Sequence, residues 1–472
     1  MKFTHRYLAH IIIEAETPLA IGSGERNVMT DRLVTTDING FPYIPGTSLT
    51  GVLRQSLGEL AKNAVNELFG YQNGDLGQGS RLILSSAQMV GKDGKVIDGF
   101  GNDLSDEFYK NFQNLPIRQH VKITHQGAAE KHGKFDEQMV YKGTRFCFEL
   151  ELIGDEHDNT IWSRILTEFN NPAFRIGGGT RKGFGEITVI EIKSECIDLT
   201  KDLQKYLTKS SDLNGTFWNS IQPIEKMEKY KNADWTTYKL KLTPEDFFLF
   251  GSGFSSENGD ADMTFVTEKA IIWPEGKPKF SEEKILIPAT SVKGALAHRV
   301  AFHYNKELKV YSNKLDEPGI CTYLIKNGYR IPDDCEEFDS NKLNDKMKMV
   351  IDGNPAVRAL FGYSANEKDG QIGNAIFSDI FLSSEPKKKL LNHVAIDRFT
   401  GGTMDGALFS EEVVGSKESF TLNILVNNKA FETEKCQKAF EAALNDLCNG
   451  MLPLGGGTMR GNGCFTGTFT KN

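Results

Sequence analysis

Five short segments occur twice in this chain, in the same order, and no other feature constrains its fold as much. Tyr43–Leu57 reads YIPGTSLTGVLRQSL and Leu286–Val300 reads LIPATSVKGALAHRV. Upstream, PLAIGSG ends at Gly24 and FFLFGSG at Gly253; downstream, LFGY recurs at Leu68 and Leu360, and HVKI at His120 is answered by HVAI at His393. The last pair is IGGGTRKGFG from Ile176 and LGGGTMRGNG from Leu454. A repeat of this kind means one supersecondary unit used twice. The expected division is a first repeat over 1–195, a linker over 196–234 and a second repeat over 235–472. Ile44 and Leu68 are 24 positions apart but Ile287 and Leu360 are 73 apart, so the second copy carries an insertion at about 301–350. Its acidic cluster Asp333, Asp334, Glu336 and Glu337 reads as an exposed excursion.

Each copy has the same local pattern. His10–Glu16 and Thr237–Leu242 are apolar or alternating at strand length. After each I-P turn, Ser48 and Ser291 stand where a helix N-cap is wanted, and Leu49, Val52, Leu53, Leu57, Leu60 and Val65 keep helical spacing. Ile187 and Val189 open a strand pattern after the first glycine loop. Each half is thus an α+β unit with an antiparallel sheet. The seven cysteines are odd in number and widely spaced, with no C-x-x-C pair, which disfavours a disulfide framework or a four-ligand zinc site. No apolar run reaches membrane-spanning length and the start lacks a signal peptide, so no membrane and a cytoplasmic location are expected.

Three glycines followed by Thr-Arg-Lys-Gly suggest a phosphate loop, but the G-K-[S/T] signature is missing and each loop feeds a strand, not a helix. A tight turn is one reading. A close-approach backbone site for a polyanion is the other, because the net charge of -8 is locally reversed here. Arg175, Arg181 and Lys182 occur with no acid between Glu168 and Glu186, and no acid follows Asp446. The loops therefore offer Gly178, Gly179, Arg181, Lys182, Gly456, Gly457 and Arg460 to phosphates.

The pattern I-P-[G/A]-T-S-[L/V]-x-G-x-L before a helix, with a terminal G-G-G-x-x-[R/K]-G-x-G before a strand, resembles the RAMP superfamily. Each half is more narrowly similar to the backbone subunits of type III CRISPR effector complexes. Asn392–Val414 is like the region those subunits fold into a β-hairpin thumb; the first half's version, His120–Val140, is looser, with Thr124 and His125 where Asp397 and Arg398 stand later. The resemblance covers the chain apart from the linker and the insertion. It implies two tandem modified ferredoxin-like (RRM-like) domains, each with a thumb. It also implies that such units stack along a guide RNA and kink it, and that paired target RNA is cut opposite each kink. The implied partners are guide RNA, target RNA and other subunits of the complex, in a prokaryotic cytoplasm.

In that family cutting depends on one aspartate in the loop before the I-P helix, and the matching residue here is Asp31, with Asp37 at a second acidic position. A lone carboxylate can act as general base or share a weakly held Mg²⁺ (or Mn²⁺) with the phosphates, so Asp31 is also the implied metal ligand. In the second half Asp260, Asp262 and Glu268 compete. Matching MTDRLVTTDING to VTEKAIIWPEGK favours Glu268, whereas loop position favours Asp262. The family often has Lys two residues after the helix Ser and Arg a turn later. Lys293 keeps the first where Thr50 does not, and Arg54 keeps the second where Ala297 does not. Ser48, Ser291, Lys293, Arg54, His125 and Arg398 join the glycine loops as expected RNA contacts. Three functions remain open from sequence: a guide-binding subunit that also cuts target RNA, the same scaffold without cleavage, and a guide-precursor-processing endoribonuclease.

Overall fold

The computed structural model describes residues 3–27, 30–100, 105–124, 127–225, 230, 234–255, 259–331, 338–363, 370–382 and 387–472. The first unit runs β1 (His5–Ala15), α1 (Gly46–Ser56), β2 (Leu82–Leu84), β3 (Ile117–Ile123), β4 (Ala129–Gln138), β5 (Arg145–Gly154), α2 (Asn159–Glu168) and β6 (Ile187–Asp198). The second runs β7 (Trp235–Pro244), α3 (Ala289–Glu307), β8 (Ala375–Phe377), β9 (Lys387–Ile396), β10 (Thr403–Gly415), β11 (Phe420–Asn427), α4 (Glu434–Cys448) and β12 (Phe465–Lys471).

Both units close the same antiparallel sheet, β2-β5-β1-β6 in the first and β8-β11-β7-β12 in the second. Helices α1 and α2 in the first unit, and α3 and α4 in the second, pack on that sheet, which gives the ferredoxin-like βαββαβ order. On β1, Tyr7, Ala9, Ile11, Ile13 and Ala15 point to one face and pack with Leu49 and Leu53 of α1 and Ile165 and Leu166 of α2. In the second unit Tyr238, Leu240 and Leu242 of β7 meet Val292, Leu296 and Val300 of α3 and Phe440 and Leu444 of α4. Between the second and third sheet strands of each unit rises a two-stranded hairpin, β3–β4 and β9–β10. The registers fix their equivalence: His120 pairs with Phe135, and His393 with Phe409.

Two segments differ from the sequence expectation. The stretch expected as a linker is a strap: Leu213, Trp218 and Ile221 are buried, and Leu8 and Ile197 pack on the last two. Those residues lie on the face of the first sheet that the helices leave open, which explains why β1 is apolar on both faces. The insertion at 301–350 is not an exposed excursion either. It extends α3, adds helices at Ile320–Lys326 and Leu343–Ile351, and buries Tyr304, Val310, Leu315, Leu324, Tyr329 and Met349 in the second core. The charged run hid this, because apolar residues at helical spacing alternate with the charges. The acidic cluster at 333–337 lies outside the described residues.

The second unit's longer loop also has a use. Residues 270–283 form an arm that packs into the first core: Ile271 N donates to Lys142 O at 2.8 Å, Trp273 Nε1 donates to Gly143 O at 2.8 Å, and Phe280 lies among Phe108, Phe112 and Tyr141. Deeper in the same interface Arg118 of β3 is 5% exposed. It donates to Glu268 through Nε and Nη2 (2.8 and 2.6 Å) and to Asp379 through Nη1 (2.6 Å).

Candidate functional site

The base of each hairpin holds one aspartate. Asp31 Oδ2 accepts from the Asp136 N–H at 3.0 Å. Asp262 Oδ2 accepts from the Ser410 N–H at 2.7 Å and from Ser410 Oγ at 3.0 Å. The following residues repeat the match: Gln138 N donates to Arg32 O at 3.0 Å, and Glu412 N to Met263 O at 2.9 Å. Because Asp136 and Ser410 occupy the same hairpin position, Asp262 is the structural counterpart of Asp31. Counting on from there, Glu268 stands in the place of Asp37. Asp37 caps its own turn, accepting from the Asn39 and Phe41 N–H groups, whereas Glu268 reaches across to Arg118 of the first unit. The match of Asp31 to Glu268 by local sequence is therefore corrected to Asp262. Asp260 is exposed two residues upstream.

Among the described residues no three His, Cys, Asp or Glu side chains converge as a metal cage. A divalent cation at Asp31 or Asp262 would have one protein carboxylate and complete its shell with phosphate oxygens and water, which suits Mg²⁺. The hydrogen bonds at both aspartates use Oδ2 and leave the second carboxylate oxygen for such a role.

Behind each aspartate lies a buried glutamate that the sequence reading missed. Glu411 is fully buried and binds Arg460 Nη2 at 2.5 Å, His393 Nε2 at 3.0 Å and Asn462 Nδ2 at 3.2 Å. Its counterpart Glu137 is 2% exposed, with Arg32 Nη1 at 3.4 Å and His120 Nε2 at 3.5 Å. Burial alone would raise the Glu137 carboxyl; His120 beside it and the charges of Arg32 and Lys182 outweigh burial and hold it below the ordinary glutamate value. His120 stacks on Phe135 and His393 on Phe409, while Lys182 and Arg460 sit over the same two phenyl rings. A repeated F-x-E, at Phe135–Glu137 and Phe409–Glu411, was the available sequence signal.

The glycine loops are tight turns that carry cations. Gly177 and Gly455 have φ of 87° and 91°, and a Cβ on Gly177 would lie 2.6 Å from Ala20 O. Gly178 N donates to Ala20 O at 2.7 Å and Gly456 N to Leu249 O at 2.6 Å. Those N–H groups are engaged, so the loops offer side chains and not these backbone donors. Gly179 and Gly457 also turn with positive φ. The two loops differ in what they present. Arg460 is tied to Glu411, and Met459, where the first loop has Arg181, is 99% exposed. In the first loop Arg181 Nε donates to Gly373 O of the second unit at 2.8 Å. Lys182, Arg181 and Lys293 of α3 lie near enough for their charges to act on one another: burial, then Lys182 and Arg181, lowers the Lys293 ammonium to about 8. Burial and Arg175 lower Arg181 to about 10. This cationic group exists only because the first loop abuts the second unit's first helix.

The helix starts lie two residues before the expected caps. α1 begins at Gly46 and α3 at Ala289, so Ser48 and Ser291 are third helical residues and make no side-chain cap. Gly46 N instead donates to Ser86 Oγ at 3.2 Å and Ala289 N to Asp379 Oδ1 at 2.8 Å. Arg54 braces the first unit, donating to Gly70 O and Asn66 Oδ1 at 2.9 Å each. Arg398 is exposed at the tip of β9–β10 beside fully exposed Phe399. His125 lies outside the described residues.

No helix among the described residues is long and apolar enough to cross a membrane. No curated protein matches the chain by sequence. The RAMP superfamily model matches residues 12–188 and again 245–466, the same two units that the hairpins and aspartates superpose. On that double match the chain belongs to the RAMP superfamily.

Proposed function

We propose that the chain is a guide-RNA-binding backbone subunit of a type III CRISPR effector complex, and that it cuts guide-paired target RNA at two sites. Membership of the RAMP superfamily supports the coarser part, a CRISPR-associated RNA-binding protein. The observation that carries the finer part is the duplicated aspartate, held by the same hairpin N–H in both units. In this reading β3–β4 and β9–β10 are the thumbs that splay the RNA. Arg181, Lys182 and Lys293 hold the guide backbone at the junction of the two units, since phosphate contacts position a nucleic acid without reading its sequence.

Cleavage needs a 2′-hydroxyl deprotonated and aligned with the scissile phosphate. Asp31 and Asp262 would each accept that proton directly, or hold a Mg²⁺ (or Mn²⁺) that supplies Lewis acidity when bound. The backbone N–H on Oδ2 fixes where each carboxylate points. A guide-precursor-processing enzyme has no need for two such hairpin-held carboxylates, which leaves that reading without support. The isolated complex should carry RNA of one narrow length range. The Arg181→Ala/Lys182→Ala/Lys293→Ala variant should bind all RNA sequences more weakly, with the salt slope reduced by ~0.7 per lost single-strand contact. A complex free of RNA, or a triple variant with unchanged affinity and slope, would refute the binding role.

A further inference from the structure

The two aspartates are equivalent, but their surroundings are not. Arg32 follows Asp31, whereas Met263 follows Asp262. The Arg32 side chain is 60% exposed, with its guanidinium anchored against the Phe135 ring at 5.7 Å and Nη1 3.4 Å from Glu137. That loose contact uses one of five N–H donors and leaves the fork able to turn toward a phosphate. At the second site the nearby cation, Arg460, is closed onto buried Glu411. A further difference lies beneath. His120 Nε2 and Glu137 Oε2 face each other at 3.5 Å, against 3.0 Å between His393 Nε2 and Glu411 Oε1, and Asp136 Oδ1 is a buried atom at the first hairpin base without a hydrogen-bond partner. The first site is therefore the more loosely tied of the two.

We propose that Arg32 is a catalytic residue of the first site, donating to a non-bridging oxygen of the scissile phosphate, and that the second site, with Met263 there, cuts more slowly. The proposal rests on the reading of Asp31 and Asp262 as cleavage carboxylates. In the step, the target's 2′-oxygen forms a bond to phosphorus as the bond from phosphorus to the 5′-oxygen breaks. The 2′-hydroxyl proton goes to the carboxylate side, and water supplies a proton to the departing 5′-oxygen. The products are a 2′,3′-cyclic phosphate and a 5′-hydroxyl, with no oxidation or reduction. Negative charge rises on the non-bridging oxygens in the transition state, and a fixed guanidinium there lowers the barrier more than it strengthens ground-state binding.

The test is single-turnover cleavage of an end-labelled target by the complete complex in Mg²⁺ buffer, with Asp31→Ala and Asp262→Ala assigning each cut to its site. Wild type should make the Asp31 cut faster. Arg32→Ala should slow that cut by ~100-fold, the order seen on removing one transition-state donor, with target affinity and the Asp262 cut unchanged. Arg32→Lys should recover part of the rate, and Met263→Arg should speed the Asp262 cut. An unchanged first cut in Arg32→Ala, or slowing only in proportion to lost affinity, overturns the proposal. If Asp31→Ala and Asp262→Ala leave both cuts intact, the cleavage reading itself is wrong; if they remove the cuts while Arg32→Ala does not slow the first, only the role of Arg32 falls.

Discussion

Replacing Arg118 by Ala should be among the most damaging single changes in the chain, and its effect should depend on pH. The buried guanidinium lies against the carboxylates of buried Asp379 and of Glu268, whose side chain is 9% exposed, and over the Phe184 ring at 4.8 Å. Removing one partner of a buried ion pair costs about 3–5 kcal/mol, because the remaining charge is stranded. For units of this size that corresponds to a melting temperature lower by roughly 10 °C. The pH sign follows from Glu268. Burial raises its carboxyl, Asp379 adds to the rise and Arg118 opposes it. A carboxyl raised in the folded state stabilises below its unfolded value, and that stability is lost as pH rises through the folded value. Without Arg118 the rise is larger, so the deficit should grow from pH 5 to pH 8. Urea denaturation at both pH values measures it, and Glu268→Gln in the Arg118→Ala background should return part of the loss. A deficit under about 1 kcal/mol, well below the buried-pair range, or a Glu268→Gln change that rescues nothing, would refute this account of the interface.

Gly177→Ala should destabilise the first unit by at least about 1 kcal/mol, since φ is positive and the Cβ would meet Ala20 O, whereas Gly178→Ala should be mild. Paired thermal melts decide it. Raising pH from 7 to 9 should weaken RNA binding and lower its salt slope, because Lys293 loses its proton near 8; Lys293→Arg should remove that dependence in filter-binding titrations. Arg460→Ala should weaken RNA binding less than Lys182→Ala does, since Arg460 is engaged by Glu411. Leu296→Ala, in the middle of the second core, should cost about 2–5 kcal/mol by denaturant titration.

The duplication, the first strand and first helix of each half, and the strand after the first glycine loop were legible because they depend on local periodicity. The partner of a charge was not. Arg54 and Arg460 were expected as RNA contacts and Glu268 as a cleavage candidate, yet each is engaged by a residue 12 to 150 positions away. Asp262 was obscured by the arm at 270–283, which lengthens the second loop and makes VTEK the better string match. The helix N-caps were misread by three residues, with Pro45 and Pro288 in place of Ser48 and Ser291, because Ser86 and Asp379, just past the second sheet strand, accept from the first helical N–H groups. Glu137 and Glu411 carry a repeated pattern but lie far along the chain from the loops they support.

If Asp31 and Asp262 are the equivalent carboxylates of two cleavage sites, Glu268 is a structural ion-pair partner only. End-mapping of target RNA cut by the complex carrying Asp31→Ala, Asp262→Ala or Glu268→Gln tests it directly. Each aspartate variant should lose one distinct cut, one structural repeat apart, while Glu268→Gln keeps both. Loss of the second cut in Glu268→Gln with its retention in Asp262→Ala would contradict it.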